Sequence, residues 1–231
     1  MAQFEQLEQV ANGPAAEPAR TGTGTVIERM HAFRPSSGRG EDGVAVFHRV
    51  YLAAQGGPGG EAGAASGVLA VRLAERYLSA VDTAAAGHRI PDCWRPLFQY
   101  RRHPGVRPLQ FALAGLNAHA GHDLALAVVD TCRTLRCAPT DLEEEFDRVG
   151  DLLLMLEERI GEDLMPERPA VTDPLTHLVG SWNLERAREA AWSAARVLWR
   201  LREVPSLAAE FGQQLDAGAG LVGRCLLTPC R

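Results

Sequence analysis

No lysine occurs in these 231 residues, so all 24 basic side chains are arginine. That absence removes whole classes of chemistry. Schiff-base catalysis, pyridoxal phosphate attachment and a Walker phosphate loop each require a lysine amine. Abundant Ala, Gly and Arg point to GC-rich codon usage as the origin of the bias. Cysteine is sparse as well: Cys93, Cys132, Cys137, Cys225 and Cys230 make an odd count with no CxxC pair. This argues against a disulfide framework and against a zinc ribbon, and reduced thiols in a cytoplasmic protein are the expectation. The start, Met1-Ala2-Gln3-Phe4-Glu5, is acidic and has no apolar core after it, unlike a signal peptide. No stretch of about 18 uncharged apolar residues occurs, so stable membrane insertion is not expected. The net charge of -5 provides no positive field for nucleic acid. No serine sits in a GxSxG elbow, which leaves a serine hydrolase little support. Six glycines between Gly56 and Gly67 are too irregular for a dinucleotide fingerprint, and no strand precedes them. No nucleotide cofactor is expected.

What is present is helical periodicity. The length suits one domain, with roughly 70% of the unfolded surface hidden on folding at this size. Residues 1–24 have few large apolar side chains and read as a mobile arm, leaving 25–231 as a single helical domain. Val26 to Phe33 starts the fold, and Val44 to Gln55 follows as a helix. Leu69, Leu73, Tyr77 and Val81 form a stripe over Val68–Ala86, with Ser66 as its cap. His88 to Pro108, with four prolines, reads as a non-repetitive connection. An apolar helix is expected from Leu109 to Leu135. Thr140 and Glu143 form a capping box that opens a helix reaching Ile160, with Phe146, Val149, Leu153, Leu156 and Ile160 inward. Glu143, Glu144 and Glu145 read as a solvated acidic start. Asp173 and Pro174 open a helix running to Arg202 with a bend near Gly180. Leu207–Leu227 is a weaker helical segment broken by glycines. No alternating β-branched run rises above noise. The class is all-α, an antiparallel bundle of about six to eight helices.

The long apolar helix carries the chemistry, in Asn117-Ala118-His119-Ala120-Gly121-His122-Asp123. On a helix, His119 and Asp123 share a face, Asp130 returns to it, and His122 lies about 60° to one side. Burying such groups costs several kcal/mol unless they are paired or bind a metal. Gly115, Asn117 and Gly121 are poor helix formers that suit close packing or a kink near a ligand. The stretch also resembles DUF5995, a bacterial family of unknown function, in its pattern Asn-Ala-His-x-x-x-Asp. Phe47-His48-Arg49-Val50-Tyr51-Leu52 resembles the family's early aromatic helix, although His48 stands where Asn is usual. Leu73–Leu78, Pro91-Asp92-Cys93-Trp94-Arg95-Pro96-Leu97-Phe98 and Trp182–Trp192 also fit. Phe146-Asp147-Arg148-Val149-Gly150 fits except that Gly150 replaces a usual Asn. The resemblance spans about residues 26–200 and implies no activity.

A carboxylate beside imidazole suits both metal ligation and proton transfer. His119, Asp123 and Asp147 are the candidate catalytic residues and also the candidate ligands of a divalent ion, with Zn²⁺, Mn²⁺ or Fe²⁺ suited to such a set. His48, His177 and Asp130 are further candidate partners. His48, Asn117, His122 and Arg188 are candidate substrate-binding residues, Arg188 as the holder of an anionic group among Trp182, Trp192 and Trp199. The leading expectation is metal-assisted hydrolysis of a small hydrophobic or specialised-metabolite substrate. The alternatives are a metal-independent acid–base cyclase or isomerase, and a non-catalytic helical binding or scaffold protein. A homo-oligomer is compatible with the sequence.

Overall fold

The stripe Leu69, Leu73, Tyr77 and Val81 is buried along one side of its helix, as its spacing of four residues requires. The computed structural model describes residue 26 and residues 28–33, 42–55, 67–164 and 182–229, and all regular elements among them are helical. Residues 28–32 are helical and place Met30 in the core. The helices that follow are α1 (Gly43–Gln55), α2 (Val68–Ala85), α3 (Arg95–Tyr100) and α4 (Pro108–Ala118). A π turn (His119–Asp123) joins α4 to α5 (Leu124–Leu135), and a 3-10 turn (Pro139–Leu142) leads into α6 (Glu143–Leu164). The last two are α7 (Leu184–Leu201) and α8 (Pro205–Leu226).

α4 lies between α1 and α8, α5 packs on α2 and α7, and α6 crosses α1. The π turn touches α2, α7 and α8, so the polar motif sits at the centre of the molecule. The largest fully buried side chains include Trp94, Tyr51, Tyr77, Phe47 and Met30. The four aromatic ones gather around His119 in that turn. No helix among the described residues is long and apolar enough to cross a membrane.

Several local expectations are corrected. The connection from His88 to Pro108 holds α3, whose Pro96 occupies the first turn, where a missing N–H costs nothing. α6 does not open on a Thr140–Glu143 box; Asp141 Oδ2 instead accepts from the Ala138 N–H at 2.8 Å and fixes a 3-10 turn. Glu145 is not simply solvated. Its Oε1 accepts from the Leu69 N–H at 2.8 Å, so a carboxylate from α6 caps α2. α7 starts afresh at Asn183, whose side chain accepts from the Arg186 N–H at 2.8 Å. α8 is continuous over 22 residues because Ala219, Gly220 and Gly223 bury a narrow face that larger side chains would hold off. The arm 1–24, Ser66, Asp173, Pro174, His177 and Gly180 lie outside the described residues.

Candidate functional site

The expected single helix from Leu109 to Leu135 is interrupted within the motif. The Leu124 N–H bonds to the His119 carbonyl, five residues back, which is the π pattern. Such single π turns widen a helix by one residue and are frequent at functional sites. Gly115, one turn earlier, lets α1 come close: an added Cβ there would overlap the ring of Phe47. Asn117 bridges outward. Its Nδ2 donates to the Ala219 carbonyl at 2.9 Å, and its Oδ1 accepts from Trp182 Nε1 at 3.3 Å. That clamp holds α8 and Trp182 against the motif.

His119 is 0% exposed. Four aromatic rings surround it, with centroids at 4.8 Å (Tyr51), 5.2 Å (Trp94), 5.6 Å (Phe47) and 6.1 Å (Tyr77). Neither imidazole nitrogen has a hydrogen-bond partner. The nearest charge is Asp123, with Nδ1 to Oδ2 at 3.7 Å, beyond hydrogen-bond reach.

Asp123 is held instead by other groups. Its Oδ2 accepts from Trp94 Nε1 at 2.8 Å, and its Oδ1 pairs with His122 Nδ1 at 3.0 Å. Burial alone would raise its carboxyl, but the interactions with His119 and His122 outweigh burial and hold it well below the usual carboxylate range. Cys93 completes this side, with Sγ 3.4 Å from His122 Nδ1. Burial pushes the Cys93 thiol far up, and the carboxylates of Asp123 and Asp216 push it further, so it is neutral near pH 7. Asp216 on α8 fixes the turn that carries it, accepting from the Asp92 and Cys93 N–H groups at 2.9 and 2.8 Å. Among the described residues, Cys93, His122 and Asp123 are the three metal-ligating side chains whose donor atoms lie within 4.8 Å of one another.

The structure therefore divides the residues singled out from the sequence. His119, His122 and Asp123 come together; Asp147 does not join them. It lies 79% exposed on α6, with Oδ1 3.8 Å from Arg188 Nη2. On α6, Phe146 and Val149 point inward, and Asp147 sits about 100° round from Phe146. Arg188 shares that location, in a surface groove of about 350 Å³ lined by Phe146, Asp147, Glu189 and Trp192. Its guanidinium occupies the space where a side chain at Gly150 would stand, so it is not beside His119 to hold a substrate there. His48 is one ring removed, its Nε2 2.9 Å from the Met30 carbonyl and its Nδ1 3.3 Å from Tyr77 Oη. Asp130 pairs with Arg76, and with Arg133 at 3.7 Å.

Sequence reasoning passed over Cys93, Trp94, Tyr51 and Tyr77 as site residues. Cys93 lacked a CxxC partner, and the aromatics read as core. The clue was Pro91-Asp92-Cys93-Trp94 itself, a stretch with no periodicity of its own. Among curated proteins and among solved structures nothing matches the chain. The sequence model of a family of unknown function, DUF5995, matches residues 23–229, and the chain belongs to that family.

Proposed function

We propose that this protein is a small helical enzyme that moves protons at His119, with Asp123 as the neighbouring carboxylate, on a small hydrophobic substrate. One observation carries the reading: a fully buried imidazole with no hydrogen-bond partner at either nitrogen, inside a cage of four aromatic rings. Leaving buried polar atoms unmade costs about 1–3 kcal/mol, and a scaffold role would be served equally well by an apolar side chain. The cage packs apolar faces around the imidazole and keeps water from it, an environment suited to an unsaturated or aromatic substrate admitted by movement of the rings. Asp123, ionised and anchored by Trp94 and His122, lies where it stabilises an imidazolium formed when His119 takes a proton. This favours acid–base isomerisation or cyclisation over hydrolysis at an ion shared by His119, Asp123 and Asp147, because Asp147 faces the surface groove.

The test pairs binding with turnover. A library of aromatic and enolisable carbonyl fragments is screened by NMR against the wild type, His119→Gln and Tyr51→Phe. Fragments that shift the Trp94 indole and His119 ring signals are then assayed for solvent-proton exchange. Exchange catalysed by the wild type and lost in His119→Gln supports the reading. No fragment contacting the cage, or equal exchange in His119→Gln, overturns it.

A further inference from the structure

We infer that Cys93, His122 and Asp123 form a binding site for one thiophilic divalent ion, best matched by Zn²⁺. The site shares Asp123 with the proton-transfer reading but uses its Oδ1, whereas His119 faces Oδ2. His122 Nδ1 is 3.0 Å from Asp123 Oδ1 and 3.4 Å from Cys93 Sγ. A tetrahedral ion with bonds of about 2.0–2.3 Å spaces its ligand atoms roughly 3.3–3.6 Å apart. Those two distances lie within a few tenths of an ångström of that spacing, and all three donor atoms fall within 4.8 Å of one another. One sulfur, one imidazole nitrogen and one carboxylate oxygen suit Zn²⁺ and disfavour Mg²⁺ or Ca²⁺, which take oxygen ligands.

The surroundings are those of an oriented ligand set. Trp94 Nε1 donates to the other Asp123 oxygen, Oδ2, fixing the carboxylate plane. Asp216 grips the backbone N–H groups of Asp92 and Cys93, fixing where Sγ points. All three donor side chains are buried, so a bound ion would have little competition from bulk water. Binding displaces the thiol proton of Cys93 to solvent, and a proton on His122 Nδ1 moves to Nε2. Three protein ligands leave the fourth tetrahedral position to a water.

The experiment uses the full chain without an affinity tag. Metal content is measured after gel filtration. The chelator-treated protein is then titrated with Co²⁺ and followed by absorption spectroscopy. The expected result is one zinc per chain and a cobalt spectrum with an intense thiolate charge-transfer band. Cys93→Ser abolishes that band, and Cys93→Ser and His122→Ala each weaken binding more than tenfold. His119→Gln and Asp147→Asn leave metal content and band unchanged, which separates this site from the proton-transfer reading. Substoichiometric zinc, a cobalt spectrum without a thiolate band, or full retention in Cys93→Ser overturns the inference. Should a variant fail to fold by circular dichroism, the wild-type cobalt spectrum alone decides.

Discussion

Trp94 and Asp123 are joined by one hydrogen bond of 2.8 Å, both partners buried, and through it the turn before α3 is locked to the π turn. Trp94→Phe keeps most of the aromatic wall and removes the donor. A hydrogen bond to a charged group contributes about 1.5–3 kcal/mol, and urea denaturation is expected to show a loss of that size. Trp94→Phe within experimental error of the wild type would mean that Asp123 is adequately held by His122 alone.

Gly150 on α6 gives a second test. An added Cβ there overlaps the Arg188 guanidinium. Gly150→Ala is expected to lose about 1 kcal/mol or less, because the clashing group is the far end of a flexible side chain and the helix gains propensity. In the double variant Gly150→Ala/Arg188→Ala part of that loss returns, because the clashing group is gone. A double-mutant cycle in thermal or urea unfolding reads the coupling. Strictly additive losses would show that Arg188 swings away at no cost.

Helical glycines should divide sharply by what surrounds them. Gly115→Ala drives a methyl group into Phe47 and is expected to destabilise by at least about 1–3 kcal/mol. Gly161→Ala in α6 and Gly212→Ala in α8 meet nothing within 4 Å. Each is expected to stabilise by about 0.4–1 kcal/mol, as unfolded-chain entropy falls and helix propensity rises. Melting temperatures of the three single variants decide the matter, and a stabilised Gly115→Ala would contradict the close contact of α1 and α4.

Alkaline stability follows from Tyr77. Burial, helped by the neighbouring Tyr51, raises its phenol well above the ordinary value. The folded state therefore holds its proton more tightly than the unfolded chain. Its contribution is fully present below the unfolded value of about 10 and is lost as pH rises beyond it. With no lysine in the chain, tyrosine and cysteine dominate that pH range. Stability is expected to fall above about pH 10, less steeply in Tyr77→Phe, as measured by urea unfolding across pH. An identical slope in that variant would assign the fall to other groups.

The fold was legible where one period ran undisturbed. Phe146, Val149, Leu153, Leu156 and Ile160 are buried on α6, and the stripe of α2 is buried in full. The all-helical class followed from such runs. What escaped was long-range in origin. Glu145 caps a helix 76 residues earlier in the chain, a partnership no local window contains. α8 reads as weak because its glycines lower propensity, yet two of them, Gly220 and Gly223, lie buried in close packing. In the site, the helical arithmetic brought His119 and Asp123 onto one side, but their contact is loose because Trp94 and His122 compete for the carboxylate. Asp147 was drawn in by its family-like segment, although its own register set it beside the inward stripe rather than on it.

The π turn also determines which changes of length the chain tolerates. A substitution between His119 and Asp123 leaves the register of α5 intact. Deleting a single residue there would restore ordinary α geometry and keep the register of α5, because a π turn absorbs one extra residue. Leu124, Val128 and Cys132 would stay on the core, whereas a deletion inside α5 itself would turn every residue after it by about 100°. Within these five positions one codon can be lost with the core kept, although the buried His119, His122 and Asp123 are costly to exchange.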